Sequence, residues 1–531
     1  AAADECFAGI GVPYPPGPPC EQGQPKVNDA YVWGLAKAGR RLWFGTGANV
    51  LCLKPATYEV RQPILNEDYT CEYGESQPAK ENPALPPTLG DHRPPEIYVY
   101  DLATRRLTDR TGDLTGADAA LLRDTAGLRA GTAHRGVVFL AGPSLVSGVN
   151  MFAFDAITGR YLGATKLTAY ENIRHFTVAA GVLYAGVGVG VNGGQGGRVL
   201  RWTGDRTHPF RFVEVGELPT QAADLAFHNG RLYVTTWPEA VLEENAIGAG
   251  PTTNAAGRRA TTIDEPGGSD GLAAVWMSPP LAQGAPGLNP EDARGWKQVW
   301  HTGMYEPDPV VARTYALGGL ASYKGQLYWG TMHVPLQATA LHSAVYRPST
   351  PAAIRDTLLN TQRASALFRG RFLGTGHQRV ELLYGAAELP AFDPTAAGGA
   401  GAWSATPTGY TPLFGASGFG NRFNAYTWKM AVTDGRLWIG TMDWTYLAGT
   451  NLNPDPAEYG GDLWVFNSDD EPATAIDTRG LGNYLNQGVR NMVADGDTLY
   501  LGIANPFNLR TDPTDDVPEG GWELLRVAPA R

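Results

Sequence analysis

The chain has 531 residues, 43% of them apolar and 18% charged, and carries a net charge of −11. That balance belongs to a folded chain, and its acidity disfavours nucleic acid and anionic membranes as partners. No apolar run in it approaches the ~20 residues that a membrane-spanning helix needs.

The first residues read AAADEC. Small residues of this kind follow a signal-peptide cleavage site, so an exported chain is expected. All four cysteines, Cys6, Cys20, Cys52 and Cys71, fall in the first 71 residues. Their spacing contains no CxxC or CxxCH, which removes zinc-ribbon and c-type haem readings. Proximity favours the disulfides Cys6–Cys20 and Cys52–Cys71, with the other pairings open. Residues 1–29 are therefore expected to form a disulfide-bearing arm on a secreted, periplasmic or cell-surface protein.

From residue 30 to 531 one pattern repeats. Its clearest copy is Gly488 to Val527, where the strand VRNMVA meets an Asp-Gly turn, TLYLGIA follows, and a polar loop leads to WELLRV. The marker is a Leu-aromatic pair and a small residue, with an apolar residue seven positions earlier. Leu35 precedes Leu42-Trp43-Phe44-Gly45, Phe176 precedes Leu183-Tyr184, and Leu225 precedes Leu232-Tyr233. Leu320 precedes Leu327-Tyr328, Met430 precedes Leu437-Trp438, and Met492 precedes Leu499-Tyr500. A weaker copy surrounds Val138-Phe139, with Gly131 at the apolar position. Dipeptides such as Asn229-Gly230, Lys324-Gly325 and Asp434-Gly435 separate the two strands and favour tight hairpins. Alternating third strands follow, at 96–100, 151–154, 199–202, 274–277, 344–347, 463–466 and 523–526. Fainter fourth strands sit near Leu107, Leu162, Phe212 and Val299.

Seven copies of a four-stranded antiparallel unit predict an all-β fold, a single seven-bladed β-propeller. Six or eight blades remain open, because 348–424 has room for another unit. Long insertions at 52–94, 237–271 and 348–424 read as ordered loops or flaps, where function often resides. The chain reaches its last residues in a third strand. The N-terminal arm is expected to supply the missing outer strand and close the ring.

Two motif matches carry no chemistry. Gly188–Gly193 fits GxGxxG but runs into a strand, not the helix N-terminus that dinucleotide binding requires. Gly267–Gly271 fits GxSxG inside an insertion, with no helix after it. The informative residues are those that a propeller brings to its channel mouth. Loops after the second strand present His333, Asp443, Asn505 and Trp237 at nearly equivalent places. Starts of inner strands present Arg174, His175, Lys429, Arg490, Asp29 and Asp224. Cations gathered there can receive a carboxylate or sulfate. Salt bridges to Asp29, Asp224 or Asp443 are the competing use for them. Tyr31/Trp33 and Tyr426/Trp428, including Trp428 beside Lys429, offer faces for a sugar or blade-to-blade packing. His301, His333 and His342 lack a metal-ligand spacing, and no metal is assigned. Ca²⁺ is the one cofactor left open, at Asp455/Glu458/Asp462 and Asp512/Asp515/Asp516/Glu519, neither of which has EF-hand spacing.

The Leu-(Tyr/Trp)-x-Gly blades, with LYLGIANPFN and GGWELLRV as the closest stretch, resemble secreted bacterial β-propeller repeat proteins at the level of architecture. That resemblance implies a fold and no catalytic residues, because propellers host many functions. The sequence reading is an exported, non-catalytic scaffold. It would bind a protein partner or carbohydrate at the channel face through Arg174, Lys429, Arg490, Asn505, Trp237 and Trp428. The alternative is an extracellular polysaccharide lyase or hydrolase acting on an acidic glycan, with His333 or His175 as acid/base and Asp443 as its partner.

Overall fold

A computed structural model describes residues 5–7, 24–26, 29–50, 93–190, 193–238, 271–281, 287–452, 455, 458–507 and 520–528. Strands dominate it. Three four-stranded antiparallel sheets stand alone. The first comprises Ala130–His134, Val137–Pro143, Val149–Asp155 and Tyr161–Leu167. The next comprises Asn172–Ala179, Val182–Gly188, Gly197–Trp202 and Phe212–Leu218. The third comprises Gln221–His228, Arg231–Trp237, Ala274–Met277 and Lys297–His301.

Further units of the same kind are joined by single residue pairs, Met332 with Tyr426, Met442 with Gly488 and Tyr31 with Ala504. They begin with Tyr31–Ala38, Tyr315–Tyr323, Asn424–Thr433 and Gly488–Asp495. Every unit is a meander, because each strand pairs antiparallel with the next. Each first strand also lies against the first strand of the following unit, and Gly488–Asp495 lies back against Tyr31–Ala38. The first strands thus follow one another in cyclic order.

The hairpin dipeptides do what their chemistry predicts. Ala180-Gly181, Asn229-Gly230, Lys324-Gly325 and Asp434-Gly435 all have positive φ at both positions, the conformation whose twist suits a two-residue hairpin. In the first and last units the turn falls one residue later than expected, beginning at Gly39 and Gly496.

The small residue of the repeat marks where neighbouring units touch. A Cβ on Gly186 would stand 2.8 Å from Leu225, on Gly440 2.5 Å from Val489, and on Gly502 2.7 Å from Val32. Gly45 meets Leu128 and Gly330 meets Thr427 in the same way. In every case the contact is with, or just before, the first strand of the next unit. Thr235 replaces this glycine in one unit, and there the facing strand supplies the gap with Gly318, whose carbonyl accepts from the Thr235 hydroxyl at 3.2 Å. The threonine that often follows has a separate task. Thr46, Thr236, Thr331 and Thr441 each accept, through Oγ1, the backbone N–H that opens the third strand, at 2.7 to 2.9 Å. That bond satisfies a buried donor where the ladder begins.

Three expectations change. Residues 344–347 are not a third strand, since Gln337–Tyr346 is helical and packs Leu341 inward beside Val345 and Ala340. Four alternating residues are too short a pattern to specify a strand, and Gln337, Ala338, Ala340, Leu341 and Ala344 favour a helix here. The true third and fourth strands are Leu367–Arg371 and Arg379–Gly385, paired with Gln326–His333 and with each other. The region 348–424 accordingly finishes an existing unit and adds the helix Pro351–Thr361 and the hairpin Glu388–Asp393/Ala402–Pro407. It holds no further four-stranded unit.

The arm also differs. Glu5–Phe7 pairs with Gln24–Lys26 and with no other described strand. Among the described residues the last unit has three strands, with Leu524–Val527 outermost. It joins the first unit by other means. Asn505 N–H donates to Ala30 O at 3.0 Å and Trp522 N–H to Asp29 O at 3.1 Å. Asn491 Nδ2 donates to Trp33 O at 2.6 Å, and Trp522 packs on Phe44 and Tyr98. Cys20, Cys52 and Cys71, the side chain of Cys6, most of the 52–94 and 237–271 insertions and the acids 512–519 lie outside the described residues.

Candidate functional site

Alternation of strand direction puts the second-to-third loops and the starts of the first strands on one face. The expected channel mouth lies there. Five first strands and the ends of two second strands line a small cavity at this mouth. Its walls include Arg174, His175, Asp224, Trp428, Lys429 and Arg490, with a volume of about 30 Å³. That is room for a water or two, or for the oxygens of one anionic group, and not for a sugar ring.

Lys429 and Asp224 form its floor. Lys429 Nζ donates to both Asp224 oxygens, at 2.9 and 3.0 Å. It also lies 3.1 Å from His175 Nδ1, while His175 Nε2 stands 3.1 Å from Asp224 Oδ1. One tautomer satisfies all of this: neutral His175 with its proton on Nε2, donating to Asp224 and accepting from Lys429. Burial, with the charges of Lys429 and Arg490, pushes His175 down to about 3 against the pull of Asp224. Burial opposes ionisation of Asp224 too, yet the positive neighbours hold its carboxyl below the usual range. Burial lowers Lys429, with Asp224 resisting. The competing use of the cations is therefore realised for Lys429, which is ion-paired.

The two arginines are held differently. The Arg174 guanidinium stacks 3.8 Å from the Trp237 ring centroid, and Arg490 sits 5.6 Å from that of Trp428. The tryptophans belong to an edge-to-face chain. Trp33 meets Tyr31 at 5.8 Å, Tyr31 meets Trp428 at 6.2 Å, Trp428 meets Tyr426 at 5.4 Å, and Tyr426 meets Trp237 at 6.3 Å. Such contacts suit the aromatic quadrupole, and cations suit the ring faces. The aromatic repeat thus packs between units, and guanidiniums occupy faces that a sugar would need. Arg129, which the sequence reading passed over, is the third of the set, 5.3 Å from the Trp33 centroid. It immediately precedes Ala130–His134, the first strand whose marker is Gly131, so the weak repeat hid its place.

Other candidates lie elsewhere. His333 is buried beside Tyr315, at 4.1 Å between rings, and Nε2 bonds Thr331 Oγ1 at 3.1 Å. It lines a separate crevice with Arg363 and Trp444. Burial, reinforced by the Arg363 charge, pushes it down to about 3. Asp443 lies just before the helix Thr445–Leu452, accepting from Thr445 N at 2.8 Å and Thr445 Oγ1 at 2.6 Å, and from Asn421 Nδ2 at 3.1 Å. Burial raises it to about 7, and the Asp462 charge adds to this. Asn505 is buried between the first and last units, bonded to Asn486 Oδ1 at 3.2 Å. Neither His333, Asp443 nor Asn505 lines the mouth cavity.

Asp462 Oδ2 accepts from Asn424 Nδ2 at 2.6 Å and Trp464 Nε1 at 3.0 Å, the pattern of a core hydrogen-bonding acid. His342 stacks on Trp403 at 4.7 Å, away from His333. No group of three His, Cys, Asp or Glu side chains among the described residues is arranged to hold a metal.

No protein-family model and no curated protein matches the chain. Solved structures similar to it include the β-propeller domain of the Trilobed protease from Pyrococcus furiosus, at 7% identity and a TM-score of 0.33, covering 85% of this chain and 99% of that one. An ulvan lyase bound to a -[GlcA(1-4)Rha3S]- ligand is similar at 8% identity and a TM-score of 0.37, covering 95% and 94%. A mutant puromycin hydrolase complexed with PGG is similar at 9% identity and a TM-score of 0.43, covering 94% of this chain and about half (52%) of that one.

Proposed function

We propose that the chain is a seven-bladed β-propeller, closed by packing of its last unit on its first, that acts as an exported, non-catalytic binding scaffold. Its ligand, a protein or a carbohydrate, presents a carboxylate or sulfate to the channel mouth. The observation that carries this reading is the lining of the mouth. Among the described residues it sets Arg174, Arg490 and Lys429 against one carboxylate, Asp224, and its residual space admits an oxyanion and little more. Guanidiniums held over indole faces are pre-oriented, so little side-chain entropy is lost when an anion docks. His333 and Asp443, the acid/base partners of the alternative reading, lie outside the lining of the mouth cavity.

The test is calorimetric titration with sulfated and uronate-bearing oligosaccharides. Binding should weaken about tenfold or more in Arg490→Ala, the loss of one charge-assisted contact. Equal affinity in that variant removes the mouth as the binding site.

One observation favours the second reading, an enzyme acting on an acidic glycan. His175 stands in the cavity with its tautomer fixed by Asp224 and Lys429 and with Arg490 beside it. There the acid/base is His175, with His333 left out. Turnover of an acidic polysaccharide that disappears in His175→Ala and persists in His333→Ala supports it. Absence of turnover by the unmodified protein removes it.

A further inference from the structure

A second cavity lies on the opposite face, where the hairpin turns are. It is about 300 Å³, ten times the volume at the channel mouth and at the lower end of the ~300–1,000 Å³ of small-molecule sites. It opens between the outer strands of the first unit, Ile97–Asp101 and Arg106–Asp109, and the 155–159 turn of the following one.

Three of its eight lining residues are arginines, and one is a carboxylate. Arg41, Arg106 and Arg110 converge on it, with the hydroxyls of Thr104 and Thr108 and the indole of Trp43. Arg41 Nη1 is steadied by Ile157 O at 3.0 Å. Arg110 is anchored to Gly159 O at 2.8 Å and to Asp113 through Nε at 2.8 Å, with its guanidinium 6.0 Å from the Trp43 ring centroid. Each guanidinium has five N–H donors, so these bonds orient the two side chains without using them up. Arg106 is exposed at the rim. The one carboxylate in the lining, Asp101, is already engaged by Arg40 Nε at 3.0 Å and by the N–H groups of Ala103 and Thr104 at 3.0 Å. Trp43 is fully buried and its Nε1 has no partner among the described residues. Nε1 of Trp438, at the equivalent place, likewise has no partner among the described residues. The indole alone therefore marks nothing, but at Trp43 the Arg110 guanidinium lies over the ring, and Arg41 and Arg106 line the same cavity.

The geometry points to a binding site here for a small organic anion, a phosphate monoester or a carboxylate on a compact apolar group. The oxygens meet Arg41, Arg106 and Arg110, and the apolar part lies toward Val99 and Trp43. A pocket lined by three arginines and one already engaged carboxylate favours an anionic, acceptor-rich ligand, and planar guanidiniums match phosphate and carboxylate geometry. The site is independent of the channel mouth, whose cations come from other units and the other face.

The experiment is calorimetric titration of the full chain with phenyl phosphate and, separately, benzoate, up to about 10 mM. Saturable binding of at least one is expected, and which one binds decides between phosphate and carboxylate. Arg106→Ala should weaken it about tenfold or more, while Arg294→Ala, at an exposed arginine that lines neither cavity, leaves it unchanged. Thr108→Val, which removes a rim hydroxyl and keeps the shape, should weaken it less. No binding of either anion, or equal binding by unmodified chain and Arg106→Ala, overturns the assignment.

Discussion

Closure of the ring should be visible at one glycine. Gly502 lies on the second strand of the last unit, and a Cβ there would fall 2.7 Å from Val32 Cγ1 and 3.1 Å from the Val32 carbonyl oxygen. Val32 is fully buried, so neither atom can retreat into solvent. Gly502→Ala should therefore cost ~1–3 kcal/mol, the range for overpacking a tight contact. The cost should be felt at the seam between last and first units. Its reporters are the amides of Asn505 and Trp522, which donate to Ala30 O and Asp29 O across that seam. Hydrogen exchange at these amides should accelerate by about 5- to 150-fold, the same free energy expressed as opening. Val32→Ala in the same chain should return part of the protection, because the two residues share one contact and should couple by ~0.5–3 kcal/mol. Gly112→Ala is the control, with nothing within 4 Å of its Cβ position and an expected effect within ~0.5 kcal/mol. Unchanged exchange at Asn505 and Trp522 in Gly502→Ala would show that the seam is not a blade-like contact, and the closed-ring proposal would fall with it.

Two further outcomes follow from buried charge. Lys429→Met leaves Asp224 ionised and enclosed without its partner, so stability should fall by ~3–5 kcal/mol, read by thermal or urea denaturation; a loss below ~1 kcal/mol would mean that solvent already reaches the pair. His333, held near 3 in the folded chain and titrating near its ordinary 6.5 when unfolded, makes the unfolded chain bind the extra proton as pH drops. Its contribution to stability is present above the unfolded value and is lost toward acid, about 2 kcal/mol between pH 7 and pH 5. His333→Gln should flatten the pH dependence by that amount. The raised acids Asp443 and Asp462 act in the opposite direction, but they are common to both proteins and cancel in the comparison. Parallel slopes for the two proteins would show that His333 titrates normally.

The hairpins were legible because their signals are local. A Leu-aromatic pair and a turn dipeptide act between neighbouring residues, and the structure finds every first hairpin, with its turn one residue later in the first and last units. Even the small residue of the marker carried more than was taken from it. Gly186, Gly330, Gly440 and Gly502 report where the next unit presses closest, and Thr235 faces Gly318 where the rule is reversed. The failures were of another kind. In the unit that begins Tyr315–Tyr323, two helices intervene between second and third strand, so the alternating residues nearest in sequence were the wrong ones. The arm was assigned to the last unit by a count of strands, yet Glu5–Phe7 found Gln24–Lys26, a partner within its own segment. Arg129 was lost because its neighbour Gly131 dilutes the marker.

The candidate site divides along the same line. That cations would collect at the starts of first strands followed from topology, and Arg174, Lys429 and Arg490 do share one cavity. What each cation does there depends on pairings that no window of sequence contains. Lys429 and Asp224 are 205 positions apart and come together only because their strands reach the same mouth. The pairing makes Lys429 part of the floor; on the proposed reading the arginines over the indoles recognise the ligand, so removing Lys429 should be read as a loss of stability and removing Arg490 as a loss of affinity. His333 and Asp443 sit at equivalent places in their repeats and point to different work for the same reason. Equivalent position in a blade fixes where a Cα lies; the neighbouring unit decides what the side chain meets.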